Sequence, residues 1–563
     1  MAPRIGVYVC HCGVNIAATV DVEAVTRFAQ RLPSVVIARD YTYMCSDPGQ
    51  VLIKEDIEKF GLTKVVVASC SPTMHEPTFR GTIQEAGLNP YCLEMANIRE
   101  QCSWVHEEKE EATRKAIQLV AAAVGKAFLL APLVERRADV TPAALVIGGG
   151  IAGMQAALDI ANAGFQVYLV EKEPHLGGHL AQLDKTFPTL EPVAPLLAEK
   201  IKEVEGHPNI DLLTSTEVSG VEGYIGNFKV NVTDRTTIRE LKVGTIVVAI
   251  GYDLFDARLK PEYGYGVYEN VITGLEFERL ASSSDPRKIW AKGKEPQDVV
   301  FIQCVGSRDK SVGQEYCSRI CCMYTAKQAF LVKEMLPQAR VAVLYMDVRA
   351  YGKGFEEFYD QVRGEGVIYR RGNPSEIYKK GARLVIRAED TLLGEPVQLE
   401  ADLVVLATGI TPRRDSLKIA NLLKIPRSPD GFFMEAHPKL RPVDTVMAGI
   451  YLAGCCQGPK DIADTVSQAK AAAASAMIPL CQGQVKVEAV TSIIDEELCS
   501  GCGICAEICV YDALSLDERK GVMTINEVLC KGCGACAAAC PSKAIKLSHF
   551  TPAQILAQVD ALV

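Results

Sequence analysis

Short apolar runs alternate with longer amphipathic stretches over the first hundred residues. The apolar runs, rich in Val and Ile as β-strands are, lie at 5–9, 35–38 and 64–68. The amphipathic stretches predict helices at 22–31, 47–60 and 78–86. Because strands that alternate with helices form parallel sheets, a small α/β domain is expected here.

A second α/β region follows the first. A longer helix is predicted over about 107–130, and the charged stretch 135–139 is a linker. An apolar strand at 143–147 then opens a region that continues to an alanine-rich helix around 469–476. The sequence thus predicts a domain boundary near residue 138.

The last part of the chain contains a repeat. Between 491 and 548, one short cysteine-rich unit occurs twice with a period of about 31 residues. Beyond it, residues 549–563 predict a capped amphipathic helix with Ile555, Leu556, Val559 and Leu562 near one face. We expect this stripe to pack on its own domain, and docking of a partner is the alternative.

Charge and hydropathy narrow the functional classes. The chain has 563 residues, enough for roughly three to five domains. Its net charge is -9 and it has no basic stripe, so no nucleic-acid partner is expected. The longest apolar stretch, 116–134, is interrupted by polar residues and a proline, so no membrane span is predicted. Without a signal-peptide layout, a cytoplasmic protein is expected.

Cysteine is the unusual component. The chain contains 21 cysteines, in groups at 10–102, 304–322, 455–481 and 499–540. In a reducing compartment, this number favours thiolate ligation of metal clusters over disulfides. Cys92 and Cys481 lie outside the motifs and are predicted to be small core residues.

A glycine-rich loop joins the strand 143–147 to a predicted helix at 154–163. Its first glycine permits the tight turn, its second lets a pyrophosphate approach the backbone, and its third brings helix against strand. The anion then lies at the helix N-terminus. The predicted dinucleotide-binding residues of the loop are Gly148, Gly150, Ile151, Ala152 and Gly153.

Further elements favour FAD over NAD. The strand 166–170 ends at Glu171, at the spacing where a carboxylate binds ribose hydroxyls. The turn 176–179 and the strand ends 245–251 and 403–409 are similar to elements of flavoproteins that bind two dinucleotides. The other predicted FAD contacts are Lys172, Gly178, His179, Ala249, Gly251, Thr408 and Gly409.

A later segment departs from the flavoprotein pattern. Where those proteins have Gly-Asp beside the flavin ribityl chain, this chain has Gly454 and Cys455, so the Asp contact is lost. After Asp461, a helix is predicted to begin near Ile462. Its N–H groups would lie near the flavin pyrimidine and favour an anionic reduced flavin.

The second nucleotide-binding unit lacks a phosphate loop. Its first strand, 298–302, continues through Gln303 to Arg308 without the required glycine spacing. No NAD(P)H site is therefore predicted, and electrons must enter by another route.

The C-terminal repeat is the most specific signal in the chain. Each copy has the spacing C-x2-C-x2-C-x3-C of bacterial two-cluster ferredoxins, which favours [4Fe-4S] clusters over zinc. By the cross-ligation rule, one cluster is predicted on Cys499, Cys502, Cys505 and Cys540. The other is predicted on Cys530, Cys533, Cys536 and Cys509.

Another set of thiols has no standard ferredoxin spacing. It consists of Cys304, Cys317, Cys321 and Cys322. The four are predicted to converge beside the place where a pyridine nucleotide would have bound. A buried, redox-inert set is the alternative.

Several motifs together resemble the A subunit of heterodisulfide reductase, which carries the flavin and iron-sulfur clusters of that enzyme. They are Cys304–Arg308, Tyr316–Cys322, Leu452–Asp461, Val9–Gly13, Tyr43–Gly49, Cys70–Phe79 and Glu94–Trp104. The resemblance covers essentially the whole chain. It implies a thioredoxin-reductase-like FAD domain at 138–490, whose part 291–400 is a degenerate nucleotide-binding subdomain. An N-terminal α/β cluster domain (1–137) precedes it, and a ferredoxin domain (491–548) follows.

The resemblance also implies four [4Fe-4S] clusters in each chain. Two belong to the ferredoxin domain, one to the set at 304–322 and one to the N-terminal domain. Five thiols compete for the four N-terminal positions: Cys10, Cys12, Cys45, Cys70 and Cys102. The first four fall at or just beyond strand ends, where α/β sheets place ligands, and Cys102 is a further candidate.

Lys327 follows Cys322 on the same predicted helix. In the family, a lysine at this place approaches the flavin N5, where a cation tunes the redox states of the flavin. The resemblance therefore implies a catalytic role for Lys327. A solvated lysine is the alternative.

The function implied by the resemblance is flavin-based electron bifurcation. A hydrogenase or formate dehydrogenase type donor gives two electrons. One goes to ferredoxin and the other passes through subunits C and B to a disulfide-type acceptor, in a complex that contains a homodimer of this chain. Longer members carry an inserted ferredoxin domain, and this chain, without cysteine between Glu171 and Cys304, is a short form.

Two alternatives stay open. One is a non-bifurcating subunit that feeds a quinone-linked or acyl-CoA reductase complex. The other is a pure electron-relay scaffold. Both require the same clusters.

Overall fold

Contacts in the computed structural model divide the chain into two units. The structure describes residues 2–234, 237–282 and 295–562. One unit comprises Met1–Ala138 together with Lys486–Val563, and the other comprises Asp139–Val485. The sequence, by contrast, predicts separate N-terminal and ferredoxin domains. The predicted subdomain limit at residue 291 lies outside the described residues.

Four parallel strands form the N-terminal sheet. They are β1 (Ile5–Cys10), β2 (Val35–Tyr41), β3 (Lys64–Ser69) and β4 (Leu93–Asn97), in the order β2-β1-β3-β4. Every residue of β1 and β3 is buried. The predicted parallel sheet is confirmed. β4 lies outside the sequence prediction because Glu94 and Asn97 interrupt its apolar run.

Four helices belong to this segment. They are α1 (Val22–Ala29), α2 (Asp47–Phe60), α3 (Pro72–Glu85) and α4 (Lys109–Phe128). The helix α2 has the predicted bounds, but α3 begins earlier than the predicted residue 78. Ser71 caps α3 by accepting from the Thr73 N–H, and Pro72 occupies the first helical position, where its missing N–H costs little.

The flavin region begins with one parallel and one antiparallel sheet. Its strands are β5 (Arg136–Asp139), β6 (Ala143–Ile147), β7 (Gln166–Val170), β8 (Ile210–Leu213), β9 (Thr216–Tyr224), β10 (Asn227–Asp234), β11 (Thr237–Val243), β12 (Thr245–Val248) and β13 (Asp253–Leu254). Its helices are α5 (Ile151–Asn162) and α6 (Val193–Glu205). The helix α5 is apolar on nearly every side and is almost wholly buried, as a helix packed against a sheet must be.

The rest of the second unit repeats this design. Its strands are β14 (Val271–Thr273), β15 (Asp298–Val305), β16 (Arg340–Tyr345), β17 (Ile368–Arg371), β18 (Pro374–Lys380), β19 (Arg383–Asp390), β20 (Glu395–Ala401), β21 (Leu403–Thr408), β22 (Ile410–Thr411) and β23 (Ile450–Leu452). Its helices are α7 (Gly274–Ala281), α8 (Cys321–Met335), α9 (Phe355–Gly364), α10 (Ser416–Leu423) and α11 (Ile462–Gln482).

Two five-stranded parallel sheets organise this unit. Their orders are β23-β12-β6-β7-β8 and β14-β21-β15-β16-β17. Each is accompanied by a three-stranded antiparallel sheet, β11-β10-β9 or β18-β19-β20. Because ligands bind at the carboxyl ends of parallel strands, these ends locate the candidate site.

The last part of the chain forms small elements, and those within the cysteine-rich repeat surround two antiparallel pairs. They are β24 (Gln484–Val487), β25 (Ser492–Ile494), β26 (Leu514–Asp517), β27 (Val522–Ile525) and β28 (Ile545–Leu547), with α12 (Ile504–Glu507), α13 (Ala535–Ala539) and α14 (Pro552–Asp560). The pairs are β25 with β28 and β26 with β27.

The C-terminal helix α14 packs on α4. The Gln554 side chain donates to the Leu129 carbonyl at 3.1 Å, and the Lys126 ammonium lies 3.8 Å from the centroid of the Phe550 ring. The four side chains of the predicted stripe are instead 48–58% exposed: Ile555, Leu556, Val559 and Leu562. The expectation that this stripe packs on its own domain is wrong, because the helix turns Gln554 and Ala557 towards α4 instead.

Cys481 corrects a second prediction. It is exposed near the end of α11, whereas the neighbouring Pro479 and Leu480 turn inward. Cys92 is buried, as predicted.

Gly125 controls the contact between α4 and α14. A Cβ atom at this position would lie 2.6 Å from the backbone oxygen of Ala557, so Gly125→Ala forces the two helices apart. We expect this variant to lower the free energy of unfolding by about 1–3 kcal/mol in denaturant titrations.

Gly81→Ala is the matched control for this prediction. Gly81 lies in α3 with nothing within 4 Å of an added Cβ, so the change is neutral or stabilises by up to about 1 kcal/mol. Equal stability of the two variants would contradict the tight contact.

Candidate functional site

The glycine loop after β6 has the conformation that a dinucleotide requires. Gly148 has φ +107°, a backbone conformation that favours glycine. A Cβ at Gly153 would overlap the Gly148 oxygen, so only glycine lets α5 approach the strand. At Gly150 nothing lies within 4 Å of an added Cβ, and this face of the loop is open.

The N-terminus of α5 is free to bind an anion. Gly150 is its N-cap and supplies no side-chain hydrogen bond to the first turn. The second glycine turn faces the first, since a Cβ at Gly178 would lie 3.4 Å from the Gly150 Cα. Unpaired N–H groups and the helix dipole make this junction suitable for a diphosphate.

Charged groups flank the loop at the end of β7. The buried Glu171 carboxylate accepts from the Gly149 N–H at 2.6 Å and the Glu173 N–H at 2.8 Å. Burial of Asp415 would raise its pKa, but hydrogen bonds from Arg413 and Lys172 outweigh this effect and hold the pKa at about 2. The carboxylate is therefore ionised at neutral pH.

One cavity of about 440 Å³ joins these groups, a size typical of cofactor sites. Most predicted FAD contacts line it: Gly148, Gly150, Ile151, Ala152, Glu171, Lys172, Gly178, His179, Ala249, Gly251, Thr408, Cys455, Asp461 and Ile462. Gly153, Gly409 and Gly454 are not in the lining. A Cβ at Gly409 would approach the Gly306 oxygen to 2.7 Å, and one at Gly454 would approach the Ala152 Cβ to 2.9 Å, so these glycines serve packing.

Lys327 lies in this cavity and is 1% exposed, so the alternative of a solvated lysine is wrong. Its ammonium donates to the Glu278 carboxylate at 2.8 Å and to the Lys185 carbonyl at 2.7 Å. The helices α7 and α8 bring the two charges together. The pair is almost completely withdrawn from solvent.

Lys460 is a buried cation that the sequence patterns do not single out. Its ammonium donates to the carbonyl oxygens of Gly454 and Gly458 and to the Gln457 side chain, at 2.7–3.1 Å. Burial lowers its pKa, and the nearby Cys455 opposes that effect. The sequence places it inside the motif Leu452–Asp461, between the β23 strand end and α11, but gives it no role.

His179 and Tyr252 form one wall of the cavity. Their rings stack with centroids 4.2 Å apart, and the His179 Nε2 lies 2.9 Å from the Tyr252 carbonyl oxygen. The buried Nδ1 of His179 has no partner within the described residues. Burial lowers the pKa of His179, so its ring is neutral at pH 7.

The segment after β15 departs from a nucleotide-binding loop. Cys304 and Arg308 have positive φ values of 60° and 58°, and a long connection separates the strand from α8. A Cβ at Gly306 would overlap the Phe255 ring, so the backbone packs closely here. The connection contains Cys317, and α8 begins at Cys321.

The four thiols of this segment converge. Cys304, Cys317, Cys321 and Cys322 interact electrostatically with one another. Burial, with the neighbouring thiols, raises the pKa of Cys304 to about 12 and raises the pKa of Cys321 well above its ordinary value. Such thiols become thiolates readily only when a cation binds them.

Hydrogen-bond donors surround these sulfurs. The Arg319 N–H donates to Cys317 Sγ at 3.3 Å, and the Arg349 N–H donates to Cys322 Sγ. The Tyr324 hydroxyl interacts electrostatically with Cys321 and donates to the Thr408 carbonyl at 2.9 Å.

Cations lie near the same sulfurs. The Arg308 guanidinium interacts with Cys304, and the Arg349 guanidinium interacts with Cys317 and Cys322. N–H donors and cations stabilise thiolate charge, as an iron-sulfur cluster requires. The donor set therefore fits the predicted [4Fe-4S] cluster.

Four of the five N-terminal candidates lie together. Cys12 interacts electrostatically with Cys10, Cys45 and Cys70, and its N–H donates to Cys10 Sγ at 3.3 Å. Cys102 is elsewhere: its thiol is buried in the core against α4 and donates to the Ala112 carbonyl at 3.1 Å. The fold therefore brings four thiols together at the ends of β1 and β3 and leaves Cys102 apart.

Arg99 lies among these N-terminal thiols and is a second residue that the sequence patterns do not single out. Its Nη1 is 3.3 Å from Cys12 Sγ, and its charge also acts on Cys45 and Cys70. Glu100 pairs with the guanidinium at 2.7 Å, and the Trp104 ring lies 4.9 Å away. The cation offsets the charge of thiolates placed there.

The ferredoxin thiols form two neighbouring groups. Cys505 interacts electrostatically with Cys499 and Cys536, and Cys536 interacts with Cys530 and Cys533. Backbone N–H groups of Met523, Ala513 and Gly532 donate to the sulfurs of Cys499, Cys509 and Cys530 at 3.3–3.5 Å. This is the donor pattern of an iron-sulfur site.

In residues 2–234, 237–282 and 295–562, no three His, Cys, Asp or Glu side chains converge as for a single metal ion. A [4Fe-4S] cluster binds each cysteine through a different iron atom. It therefore accepts thiols that lie farther apart than the ligands of one zinc ion. None of the helices described has the length and apolar content for crossing a membrane.

Two sequence profiles match the chain. Residues 142–302 match the pyridine nucleotide-disulphide oxidoreductase family, and residues 498–544 match the 4Fe-4S dicluster domain. The first match ends at Ile302, directly before the segment 303–308 that lacks the glycine spacing of a phosphate loop. A thioredoxin reductase from Lactococcus lactis is similar to 61% of this chain over all of its own length, with 17% identity and a TM-score of 0.43.

Curated relatives cover nearly the whole chain. It is 49% identical to the second iron-sulfur A subunit of the CoB-CoM heterodisulfide reductase of Methanopyrus kandleri, over 92% of both chains. It is 46% identical to the A subunit of the H(2):CoB-CoM heterodisulfide,ferredoxin reductase of Methanothermobacter thermautotrophicus, over 99% of this chain and 97% of that one.

A third relative is longer than this chain. The iron-sulfur A subunit of the CoB-CoM heterodisulfide reductase of Methanocaldococcus jannaschii is 46% identical, and the alignment spans 649 positions although this chain has 563 residues. The relative thus has stretches without a counterpart here, in agreement with the expected short form.

The buried ion pair in the cavity is expected to stabilise the flavin unit only while both partners are present. Lys327→Met leaves the Glu278 carboxylate buried without its cation, and we expect a loss of about 3–5 kcal/mol in the free energy of unfolding. The double variant Lys327→Met with Glu278→Met removes both charges and recovers most of this loss. Denaturant titration measures both effects.

An exposed pair provides the control for this prediction. Asp360→Asn removes the partner of Arg363 in α9, where both side chains are more than half exposed, and should cost no more than about 1 kcal/mol. A loss of that small size in Lys327→Met would mean that the buried pair does not stabilise the unit.

Proposed function

The chain belongs to the family of heterodisulfide reductase A subunits, and from that premise we propose that it transfers electrons between FAD and iron-sulfur clusters within a heterodisulfide-reductase-type complex. It is an oxidoreductase with an FAD domain and a 4Fe-4S domain. The finer proposal concerns the number of clusters, the electron route and the partners.

One contact carries the proposal. Tyr324 lines the dinucleotide cavity, and its hydroxyl interacts electrostatically with Cys321 of the buried thiol set. The adjoining Tyr252 also lines the cavity, and its ring lies near both Cys321 and Cys455. A cofactor in the cavity and a cluster on these thiols would therefore be separated by single side chains.

When bound, FAD supplies the chemistry that converts a two-electron step into one-electron steps. The glycine loop and the N-terminus of α5 would hold its diphosphate, and Glu171 would accept from its ribose hydroxyls. Lys327 and Lys460 supply buried positive charge, which favours negative charge that develops on a bound ring. Glu278 keeps the Lys327 ammonium in place.

We propose four [4Fe-4S] clusters for each chain. One is bound by Cys304, Cys317, Cys321 and Cys322. In the N-terminal segment we assign Cys10, Cys12, Cys45 and Cys70 and exclude Cys102. The ferredoxin clusters are bound by the two cross-ligated sets given by the repeat.

Partners follow from the names of the relatives. These name hydrogen, formate, ferredoxin and the CoB-CoM heterodisulfide as the reactants of the enzymes to which those subunits belong. We propose that this chain bifurcates electrons from a hydrogenase or formate dehydrogenase type donor. One acceptor is ferredoxin, and the other is a disulfide reached through subunits C and B. A homodimer within that complex is part of the proposal.

Iron analysis of the anaerobically purified chain tests the cluster assignment. We expect about sixteen iron atoms per chain, and about four fewer in Cys317→Ser or Cys70→Ser, since each variant removes one ligand of a cubane. Cys102→Ser and Cys481→Ser are the matched controls and keep the full iron content. A wild-type value of about eight would leave only the ferredoxin pair and contradict the other two sites.

An anaerobic redox titration of the flavin tests bifurcation. We expect the flavin to titrate as a two-electron couple, because a bifurcating site makes the one-electron form unstable. Two well-separated one-electron steps would favour a relay scaffold or a non-bifurcating subunit. Reduction of the isolated chain by NADH or NADPH would contradict the prediction from residues 303–308.

A further inference from the structure

The side-chain amide of Gln303 is buried, and only one of its two polar atoms has a hydrogen-bond partner. It is the residue before Cys304 on β15 and is 2% exposed. Its Oε1 accepts from the Cys322 thiol, with 3.5 Å between oxygen and sulfur. Its Nε2 is buried and has no hydrogen-bond partner among the described residues. A buried donor without a partner is unfavourable and rare in folded proteins, so its presence calls for a physical explanation.

Binding of Cys322 to a cluster reverses the kind of group that the Gln303 amide must offer to the sulfur. A thiol can donate to Oε1, but a thiolate has no proton and only accepts. An amide oxygen facing a thiolate is repelled by it. A half-turn of the amide exchanges Oε1 and Nε2 at almost no change in shape, and it places the donor where the oxygen stands, 3.5 Å from the sulfur.

We propose that, when the thiols at 304–322 bind a [4Fe-4S] cluster, Gln303 turns its amide and donates from Nε2 to Cys322 Sγ, which raises the reduction potential of that cluster. This inference rests on the cluster assignment of the proposed function. The turn gives the orphan donor a partner and leaves the oxygen without one, which costs less than an unpaired donor. Gln303 is a positioning residue that acts on the cluster through Cys322.

The other donors around this set differ from Gln303. Arg319 and Arg349 contact the sulfurs through backbone N–H groups, which exist whatever the side chain. The Tyr324 hydroxyl donates its one proton to the Thr408 carbonyl at 2.9 Å. Among the fully buried side-chain nitrogens of the described residues around these thiols, Gln303 Nε2 is the one without a hydrogen-bond partner. Donors to a cluster sulfur favour the reduced, more negative state and so raise the potential.

The test is an EPR-monitored redox titration of the full chain with all its cofactors. Gln303→Met keeps the length of the side chain and removes the donor. We expect one cluster to shift to a more negative midpoint potential, with the iron content and the other potentials unchanged. Thr325→Val is the matched control: Thr325 is buried in α8 with an unpartnered hydroxyl, and its removal should shift no potential.

Cys317→Ser separates failure of this inference from failure of the cluster assignment. Its loss of iron and of one EPR signal identifies the cluster that Gln303→Met must shift. If Cys317→Ser loses no iron, the cluster assignment itself is wrong. If that signal is present and its midpoint potential in Gln303→Met equals that in Thr325→Val, Gln303 does not donate to the cluster. The inference is then overturned.

A second readout distinguishes a lost hydrogen bond from a general disturbance. The N–H group of Gln303 exchanges with solvent deuterium, so a hyperfine coupling from an exchangeable proton should disappear in Gln303→Met and persist in Thr325→Val. Persistence of every such coupling in Gln303→Met would overturn the proposal, whatever the potentials do.

Discussion

Burial of sulfur is the constraint on which the candidate sites depend. A thiol enclosed by protein keeps its proton, because the charged thiolate loses the solvation that water gives it. Cys321 illustrates the case, since burial and three neighbouring sulfurs all raise its pKa. A metal cluster resolves the conflict by supplying the positive charge that the surroundings lack. Backbone N–H groups, and guanidinium groups that are held by nearby carboxylates, stabilise the remaining negative charge of the thiolates.

The dinucleotide cavity also contains groups that stabilise negative charge. The start of α5 and the ammonium groups of Lys327 and Lys460 line it, together with carboxylates such as Glu278. One lysine is neutralised by Glu278 and the other is held by carbonyl oxygens. A negatively charged cofactor is therefore favoured at one end of the cavity by a helix and elsewhere by ammonium groups. Tyr324 connects this region to the sulfur atoms.

The sequence predicts the parts of this arrangement that rest on periodicity and fixed spacing. The parallel sheets, the glycine loop and the helix beginning at Ile462 all follow from local pattern, and the cavity gathers most of the residues that the loop implied. Contacts between distant segments were not predictable in the same way. No local pattern predicts that Lys327 pairs with Glu278 or that Arg99 lies among the N-terminal thiols. Nor does one predict that Cys102 is buried in the core, apart from those thiols.

The connectivity of the first unit has a consequence for how the protein is made. Its two pieces, Met1–Ala138 and Lys486–Val563, are separated in the chain by the whole flavin region, and α14 packs on α4 through Gly125. During synthesis the flavin region leaves the ribosome before the second piece exists, so α4 emerges long before α14. The first unit is therefore completed only after its second piece has emerged, and α4 lacks its contact with α14 until then.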